Sequence, residues 1–358
     1  MSDKKIVENL KSFAVKQMLN YIDGDPDKNL SIVLDWVDRF DKNDRFISQR
    51  RVFHKILEDH DNNWYRLIKS LWTDIDPAVR KTFFENFIIN ASLIGSQRQD
   101  KASEEYNCNI PWAILMDPTS ACNLHCTGCW AAEYGNKLNM SYDTLNDIVL
   151  QGTKFGTFFY LFSGGEPLVR KDDILKLCAA HPDCMFLAFT NGTLIDEDFA
   201  DGMLRVKNFI PAISIEGFEE ATDSRRGHGT YQSVVKAMRL LQKKKLPFGV
   251  SCCYTSQNID SLSSEEFFDS VIADGAKFAW FFHYMPVGTE AVVDLLPSPE
   301  QRETMIHRLR QYRNTKPIFT IDFQNDGQFV HGCIAGGRPY IHINANGDIE
   351  PRAFIHYS

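Results

Sequence analysis

From Trp112 onward, short apolar runs alternate with stretches of helical periodicity, and this alternation constrains the fold more than any other feature. Strands that are separated by helices predict a parallel sheet with right-handed crossovers. The six predicted strands are Ala113–Met116, Phe158–Phe162, Met185–Phe189, Phe209–Ile215, Phe248–Tyr254 and Lys277–Phe282. Because six units are too few for a full barrel, we expect an α/β fold with a partial (β/α)6 TIM-like barrel. Its site should lie at the carboxyl ends of the strands.

Two further regions flank the predicted barrel. Residues 1–105 place apolar side chains at intervals of three and four, for example in Leu30–Phe40 and Trp64–Trp72, which predicts a helical domain. Near the other end, Asn346-Gly347 lies between alternating residues and predicts a β-hairpin. We therefore expect a helical N-terminal domain (1–105), a barrel core (106–290), and a helix followed by a short C-terminal β-hairpin extension (291–358).

Composition and charge exclude several classes of protein. The chain is 44% hydrophobic, which suffices for a large core, and its net charge of −8 argues against a nucleic-acid partner. The longest apolar run, Phe155–Phe162, is far shorter than the roughly 20 residues that a transmembrane helix needs. The first residues lack the apolar stretch of a signal peptide. We therefore expect a cytoplasmic protein without a transmembrane segment.

Three of the nine cysteines, Cys122, Cys126 and Cys129, lie together directly after the first predicted strand. An odd number of cysteines in a cytoplasmic chain argues against a disulfide framework. Thiolates in a loop can converge on zinc or on an iron–sulfur cluster, and three ligands leave one metal corner open. The alternative is a closed zinc site completed by His125 or Cys108.

The spacing of these cysteines resembles the CxxxCxxC signature of the radical S-adenosylmethionine (SAM) superfamily. The resemblance implies a [4Fe–4S] cluster whose open iron binds SAM and whose electron releases a 5′-deoxyadenosyl radical. It also implies an electron donor such as a ferredoxin or flavodoxin. The chain departs from the family at Gly128, where an aromatic residue is usual. Trp130 is a candidate replacement, with a core role as the alternative.

Later segments agree with the resemblance. Phe162–Leu168 (FSGGEPL) is similar to the family's GGEP motif, which implies that Gly164, Gly165 and Glu166 bind the amino group of SAM. Ser214, Glu216 and Arg226 follow the fourth strand, where the family contacts the ribose or the carboxylate of SAM. The alternatives are an ordinary turn for the glycines and a solvated charge for Arg226. Cys252 and Cys253 should face opposite sides of the fifth strand, with one pointing into the barrel.

The C-terminal region resembles the opening of a SPASM extension, which carries auxiliary iron–sulfur clusters. Cys333 and Gly347 match its pattern, but Arg352 stands where a cysteine is expected. An auxiliary cluster is therefore expected only in a longer or non-variant chain, and the ending soon after the hairpin favours truncation over degeneration of the extension.

The expected function is that of a radical SAM enzyme of the SPASM type. By analogy with the family, the leading substrate is a peptide. The first alternative is a radical SAM enzyme of lipid, haem or cofactor biosynthesis that acts on a small molecule. The second alternative is a non-catalytic protein, either an iron–sulfur or zinc scaffold or an electron carrier.

Overall fold

The structure, a computed structural model, describes residues 17–40 and 47–354. The expectations for residues 1–16 and for the last four residues lie outside these ranges. Among the described residues, none of the helices combines the length and the apolar character that crossing a bilayer requires.

Before the sheet, the described chain is helical. Helix α3 begins after Asn62, whose side chain accepts a hydrogen bond from the Trp64 amide, and α4 begins with Pro77 after the cap Asp76. A π-helical segment, Phe84–Gly95, continues α4. The helices are α1 (Pro26–Phe40), α2 (Ile47–Glu58), α3 (Asn63–Asp74), α4 (Pro77–Phe83) and α5 (Ser96–Tyr106).

These helices pack on the end of the barrel where its strands begin. The Asn63 side chain donates to the carbonyls of Arg313 and Lys316, and the Asn86 side chain donates to those of Pro182 and Cys184. Each of these carbonyls belongs to the end of a barrel helix or to the segment that leads into a strand. The helical region therefore lies at the end opposite to the carboxyl ends of the strands.

Within the described ranges, nine strands form one sheet in the order β7-β6-β5-β4-β3-β2-β1-β8-β9. The strands are β1 (Ala113–Met116), β2 (Phe159–Phe162), β3 (Met185–Thr190), β4 (Phe209–Ser214), β5 (Gly249–Tyr254), β6 (Phe278–His283), β7 (Phe319–Asp322), β8 (Tyr340–Ile343) and β9 (Ile349–Glu350). The pairings from β7 to β8 are parallel, and only β8–β9 is antiparallel. The partial barrel is thus confirmed, and the six predicted strands match within two residues.

The helices outside the sheet alternate with the strands. They are α6 (Tyr142–Phe155), α7 (Lys171–Ala180), α8 (Glu197–Val206), α9 (Glu219–Arg226), α10 (Thr230–Lys243), α11 (Ile259–Leu262), α12 (Glu265–Ala273) and α13 (Pro299–Thr315). Helix α13 begins with a capping box, in which Ser298 and Gln301 bond each other's backbone amides.

The expectation of six parallel strands was too low, because β7 and β8 extend the sheet at its two ends. The hairpin of β8 and β9 forms as predicted, with Gly347 in the left-handed region. However, β8 also pairs in parallel with β1, with Tyr340 opposite Ala113. This pairing joins residues that are far apart in the chain, so local sequence patterns do not reveal it.

The two faces of the sheet differ in burial along β5. Cys252 is fully buried in the core between sheet and helices, whereas Cys253 is only partly buried and lines the interior of the barrel. The alternation predicted for this pair is therefore present, and the barrel interior is open enough to form a cavity.

Candidate active site

A cavity of about 660 Å³ occupies the barrel interior and reaches the carboxyl ends of its strands. This volume lies in the range that ligand pockets usually have, roughly 300–1,000 Å³. Eight of the nine predicted site residues line it, and these are Cys122, Cys126, Cys129, Gly164, Gly165, Glu166, Ser214 and Arg226. The ninth, Glu216, does not.

The three cysteines come together in the loop that follows β1. Each is a free, partly buried thiol that faces the cavity. The loop is held against α9, since the Thr127 amide donates to the Arg225 carbonyl over 2.9 Å. Burial raises the pKa of the Cys122 thiol to about 11, so a metal must displace its proton in order to bind it.

The donor set fits a cluster better than a single zinc ion. Among the residues described, no three His, Cys, Asp or Glu side chains are close enough together to hold one ion. A closed zinc site needs four ligands at roughly 2.0–2.3 Å, and both proposed fourth ligands, His125 and Cys108, are exposed residues outside the cavity wall. In a [4Fe–4S] cluster each thiolate binds a different iron, so the three thiols need not meet at one ion.

The glycines of the GGEP segment let it pack on the backbone that leads to Cys122. A Cβ atom on Gly165 would lie 2.3 Å from the Ala121 carbonyl oxygen, and one on Gly164, whose φ is +99°, would lie 2.6 Å from that of Thr119. The Gly165 amide also donates to the Thr119 carbonyl over 3.0 Å. The glycines therefore let the GGEP turn pack closely on the cysteine loop. Both glycines also line the cavity.

Glu166 is almost completely buried and joins β2 to β3. Its Oε1 accepts hydrogen bonds from the Thr190 hydroxyl (2.6 Å) and the Leu168 amide (2.9 Å), and its Oε2 accepts one from the Asn191 amide (2.7 Å). Burial raises the pKa of Glu166, although these hydrogen bonds oppose the shift. Because a carboxylate oxygen accepts two hydrogen bonds, Oε2 keeps capacity for a cationic ligand group.

Glu216 has a different position from the one expected. It is fully buried, and its Oε1 accepts from Nη1 of Arg225 (2.6 Å) and from Nε of Arg226 (2.8 Å). The carboxylate therefore binds the two arginines and does not line the cavity, and a contact between Glu216 and a ligand stays a prediction. Arg226 also points toward the cysteine loop, with Nη1 4.0 Å from the Sγ of Cys126.

Both arginines line the cavity, whereas the sequence favoured Arg226 alone. Burial lowers the pKa of the Arg226 guanidinium, but Glu216 outweighs this and the net shift is upward. Two guanidinium groups share one carboxylate, so positive charge remains at the cavity wall. Such a wall suits a carboxylate ligand.

An aromatic ring beside the cysteine loop comes from Tyr284, the residue that follows β6. A Cβ atom on Gly128 would lie 2.5 Å from the hydroxyl of Tyr284, and Gly128 has a φ of +68°. Gly128 thus makes room for Tyr284, which is buried and lines the cavity. Trp130 also lines the cavity, and its ring contacts those of His342 and Phe354.

A buried polar cluster next to the loop was not predicted. His342 on β8 lies between Asp117, directly after β1, and Glu350 on β9. All three side chains are at most 3% exposed. The only signal in the sequence is the alternation of β8, which places His342 on the same face as Tyr340.

Comparison with known proteins agrees with this geometry. The Radical SAM superfamily model matches residues 116–265. Fe-coproporphyrin III synthase from Methanosarcina barkeri is 26% identical over 232 residues, which cover 61% of this chain and 57% of that protein. PqqA peptide cyclase from Granulibacter bethesdensis is 25% identical over 253 residues, covering 67% of each. The chain thus spans little more than half the length of the first of these relatives.

Among solved structures, Streptococcus suis SuiB bound to S-adenosylmethionine superimposes with a TM-score of 0.58 at 17% identity. The match covers 73% of this chain and 65% of SuiB. At this level of identity it shows that the two proteins share a fold. The matched family segment contains the cysteine loop, the GGEP turn and both arginines. Residues 116–265 therefore form a radical SAM domain, and the members of that superfamily use a [4Fe–4S] cluster and SAM.

Proposed function

We propose that the chain is a radical SAM enzyme that holds a [4Fe–4S] cluster through Cys122, Cys126 and Cys129. The observation that carries the proposal is that these three free thiols face the same cavity as the GGEP turn and two arginines. When bound there, the cluster supplies the electron that cleaves SAM to methionine and a 5′-deoxyadenosyl radical.

The residues around the cavity have separate roles in this proposal. Arg225 and Arg226, held by Glu216, attract the carboxylate of SAM. The free acceptor capacity of Glu166 and the turn carbonyls at Gly164 and Gly165 receive its ammonium group. Ser214, at the end of β4, offers a hydroxyl to the ribose. The barrel wall then surrounds the radical and limits its access to water.

The substrate has two candidate classes. Peptide modification is supported by the similarity to PqqA peptide cyclase and by the fold shared with SuiB, which was solved with its precursor peptide. A small apolar molecule, as in haem or cofactor biosynthesis, is supported by the aromatic lining of the cavity. The described contacts of the N-terminal helices lie at the opposite end of the barrel, which weakens the idea that these helices present a lipid to the site.

The test is anaerobic reconstitution with iron and sulfide, followed by addition of SAM and a strong reductant and chromatography for 5′-deoxyadenosine. Cys126→Ala should lose both cluster absorbance and product. Cys108→Ala, which removes an exposed thiol outside the cavity, should retain both. If the unaltered chain binds zinc or a cluster but forms no 5′-deoxyadenosine, the non-catalytic alternative is correct. A cytoplasmic location and a ferredoxin or flavodoxin as physiological electron donor belong to the same proposal.

A further inference from the structure

The cavity wall has a further polar region, which we call the Arg313–Asp326 pair. Arg313 belongs to the last turn of α13, and Asp326 begins a short 3-10 helix after β7. Both residues line the cavity. In the sheet, β7 is an edge strand and is separated from β1 and β2, which carry the cysteine loop and the GGEP turn, by β3 to β6. The pair therefore belongs to a part of the wall that is distinct from the residues proposed to bind SAM.

Hydrogen bonds hold both side chains in place but use only part of each. Arg313 donates from Nη2 to Oδ2 of Asp326 (2.7 Å) and from Nε to the hydroxyl of Thr320 (3.2 Å). The same Oδ2 atom also accepts from the Asp322 amide over 2.8 Å. Among the described residues, Nη1 of Arg313 and Oδ1 of Asp326 therefore have no hydrogen-bond partner. The pair is fixed, and one donor and one acceptor are left over.

These two unused atoms keep accessible surface. The side chains of Arg313 and Asp326 are 18% and 19% exposed, and neither Nη1 of Arg313 nor Oδ1 of Asp326 is fully buried. The ring of Phe329, which also lines the cavity, lies with its centroid 5.8 Å from the guanidinium carbon of Arg313. The donor and the acceptor are therefore presented beside an apolar surface, where a ligand can meet both.

The charges of the pair decide which chemical group fits it. A ligand that displaces water from these atoms must give an acceptor to Nη1 of Arg313 and a donor to Oδ1 of Asp326, because leaving a charged group unpaired is costly. A carboxylate has only acceptors and is repelled by Asp326, whereas an ammonium has only donors and is repelled by Arg313. One residue of an extended peptide offers both, since its N–H and C=O point to the same side.

The backbone of β7 cannot offer these bonds itself. The Asp322 amide is taken by Asp326, and the Asp322 carbonyl accepts from the Asn325 amide over 3.2 Å. Thr320, the other residue of β7 on this side of the strand, is 1% exposed. A peptide therefore cannot simply continue the sheet at this edge, and the Arg313–Asp326 pair supplies the bonds that the covered edge withholds.

We propose that the substrate of the reaction proposed above is a peptide, one residue of which is bound in extended conformation, with its C=O on Nη1 of Arg313 and its N–H on Oδ1 of Asp326. This inference rests on the proposed function and deepens its peptide candidate. Apolar side chains of the peptide pack on the aromatic part of the wall, where Trp280 stacks on Phe282 and Phe282 contacts Phe323 at 4.9 Å between centroids.

The test is anaerobic isothermal titration calorimetry of the reconstituted full chain in the presence of SAM, with three probes. N-acetyl-L-phenylalanine N-methylamide (the amide) has both the N–H and the C=O. Its depsi analogue (the ester) has oxygen in place of the phenylalanine N–H, and N-acetyl-L-phenylalanine (the acid) ends in a carboxylate. The amide should bind most tightly, with an advantage of about tenfold over the ester, because the ester loses a hydrogen bond to a charged acceptor.

Asp326→Asn tests the selection by charge. The change leaves Arg313 without its negative partner, so the acid should bind about tenfold more tightly than it binds to the unaltered chain and should become the preferred probe. A merely weakened fold does not reverse a preference. Glu303→Gln, the same chemical change at an exposed position of α13, should keep the preference for the amide. If Asp326→Asn does not fold, the comparison of the three probes on the unaltered chain decides alone.

Several outcomes overturn the assignment. They are failure of the amide to bind, equal binding of amide and ester, tighter binding of the acid to the unaltered chain, and an Asp326→Asn protein that still prefers the amide. Formation of 5′-deoxyadenosine, measured in parallel without probes, tests the proposed function separately. Product without binding of the amide removes only this inference, whereas binding of the amide without product removes the proposed function and leaves a peptide-binding site.

Discussion

The Nε2 atom of His342 lies 2.9 Å from Oδ2 of Asp117, so the strand β8 is bonded to the residue that opens the cysteine loop. On its other side, Nδ1 of His342 lies 2.8 Å from Oε2 of Glu350. Burial alone lowers the pKa of His342, but the two carboxylates outweigh it and the net shift is upward. The imidazole, held between two buried carboxylates, therefore fixes the loop to the hairpin.

Replacing His342 by Gln should destabilise the fold by about 3 kcal/mol, because two buried carboxylates lose their counter-charge. Since the pKa of His342 is raised in the folded state, its charge stabilises the fold fully below the unfolded value of about 6.5. This stabilisation is lost as the pH rises through the pKa that His342 has in the folded protein. In thermal unfolding, His342→Gln should therefore lower the melting temperature more at pH 6 than at pH 9.

The matched control for this variant is His307→Gln, which changes a histidine that is 70% exposed on α13. It should alter the melting temperature little at either pH. A loss for His342→Gln that is equal at pH 6 and pH 9 would show that the imidazole is not charged in the folded protein.

Gly165→Ala should impair loading of the cluster. The added Cβ would lie 2.3 Å from the Ala121 carbonyl and 2.5 Å from that of Ser120, both backbone atoms of the segment that ends at Cys122. The backbone must shift, at a cost of about 1–3 kcal/mol. Iron content per chain after reconstitution measures the effect, and Gly24→Ala, whose Cβ would meet nothing closer than 3.9 Å, should load normally.

Glu216→Gln should destabilise the protein by about 3–5 kcal/mol. The change keeps the size of the side chain but leaves Arg225 and Arg226 buried without their shared negative partner. Chemical denaturation measures the loss. The same change at Glu219, which is exposed on α9, should have no measurable effect, and a stable Glu216→Gln protein would contradict the role given to this carboxylate.

The two adjacent cysteines of β5 should respond differently to serine. At Cys252 a hydroxyl enters the apolar core without a partner, which should cost about 1–3 kcal/mol. At Cys253 the hydroxyl faces the cavity near Arg225, so the loss should be smaller. The urea midpoints of Cys252→Ser and Cys253→Ser test which cysteine faces the core. A lower midpoint for Cys253→Ser than for Cys252→Ser would mean that the assignment of the two faces is wrong.

The elements that could be predicted from the sequence are those set by local pattern. Strands β1 to β4 are apolar runs that are almost entirely buried, and β5 and β6 alternate buried with partly buried residues, so the positions of all six follow from local pattern. The hairpin turn at Gly347 follows from Asn-Gly. The strand β7 (FTID) has two polar residues among its four and so is not a continuous apolar run. The pairing of β8 with β1 depends on contacts between distant residues, which no local pattern records.

For the site, the cysteine spacing predicted the loop, but not the direction in which neighbouring charges point. Glu216 and Arg226 were both expected to face a ligand, whereas in the fold one binds the other. Whether a buried charge faces a cavity or another side chain depends on the packing of α9 against β4. The part played by Tyr284 is hidden in the same way, because only the fold shows that Gly128 leaves space for its ring.

The parallel pairing of β8 with β1 has a consequence for how the protein matures in the cell. The cysteine loop leaves the ribosome long before residues 340–343. Those later residues form β8, which pairs with β1, and they include His342, which bonds Asp117. Until they arrive, the loop lacks the wall against which it is fixed. We therefore expect iron and sulfide to be inserted after translation of the hairpin, and a nascent chain arrested before β8 to accept no stable cluster.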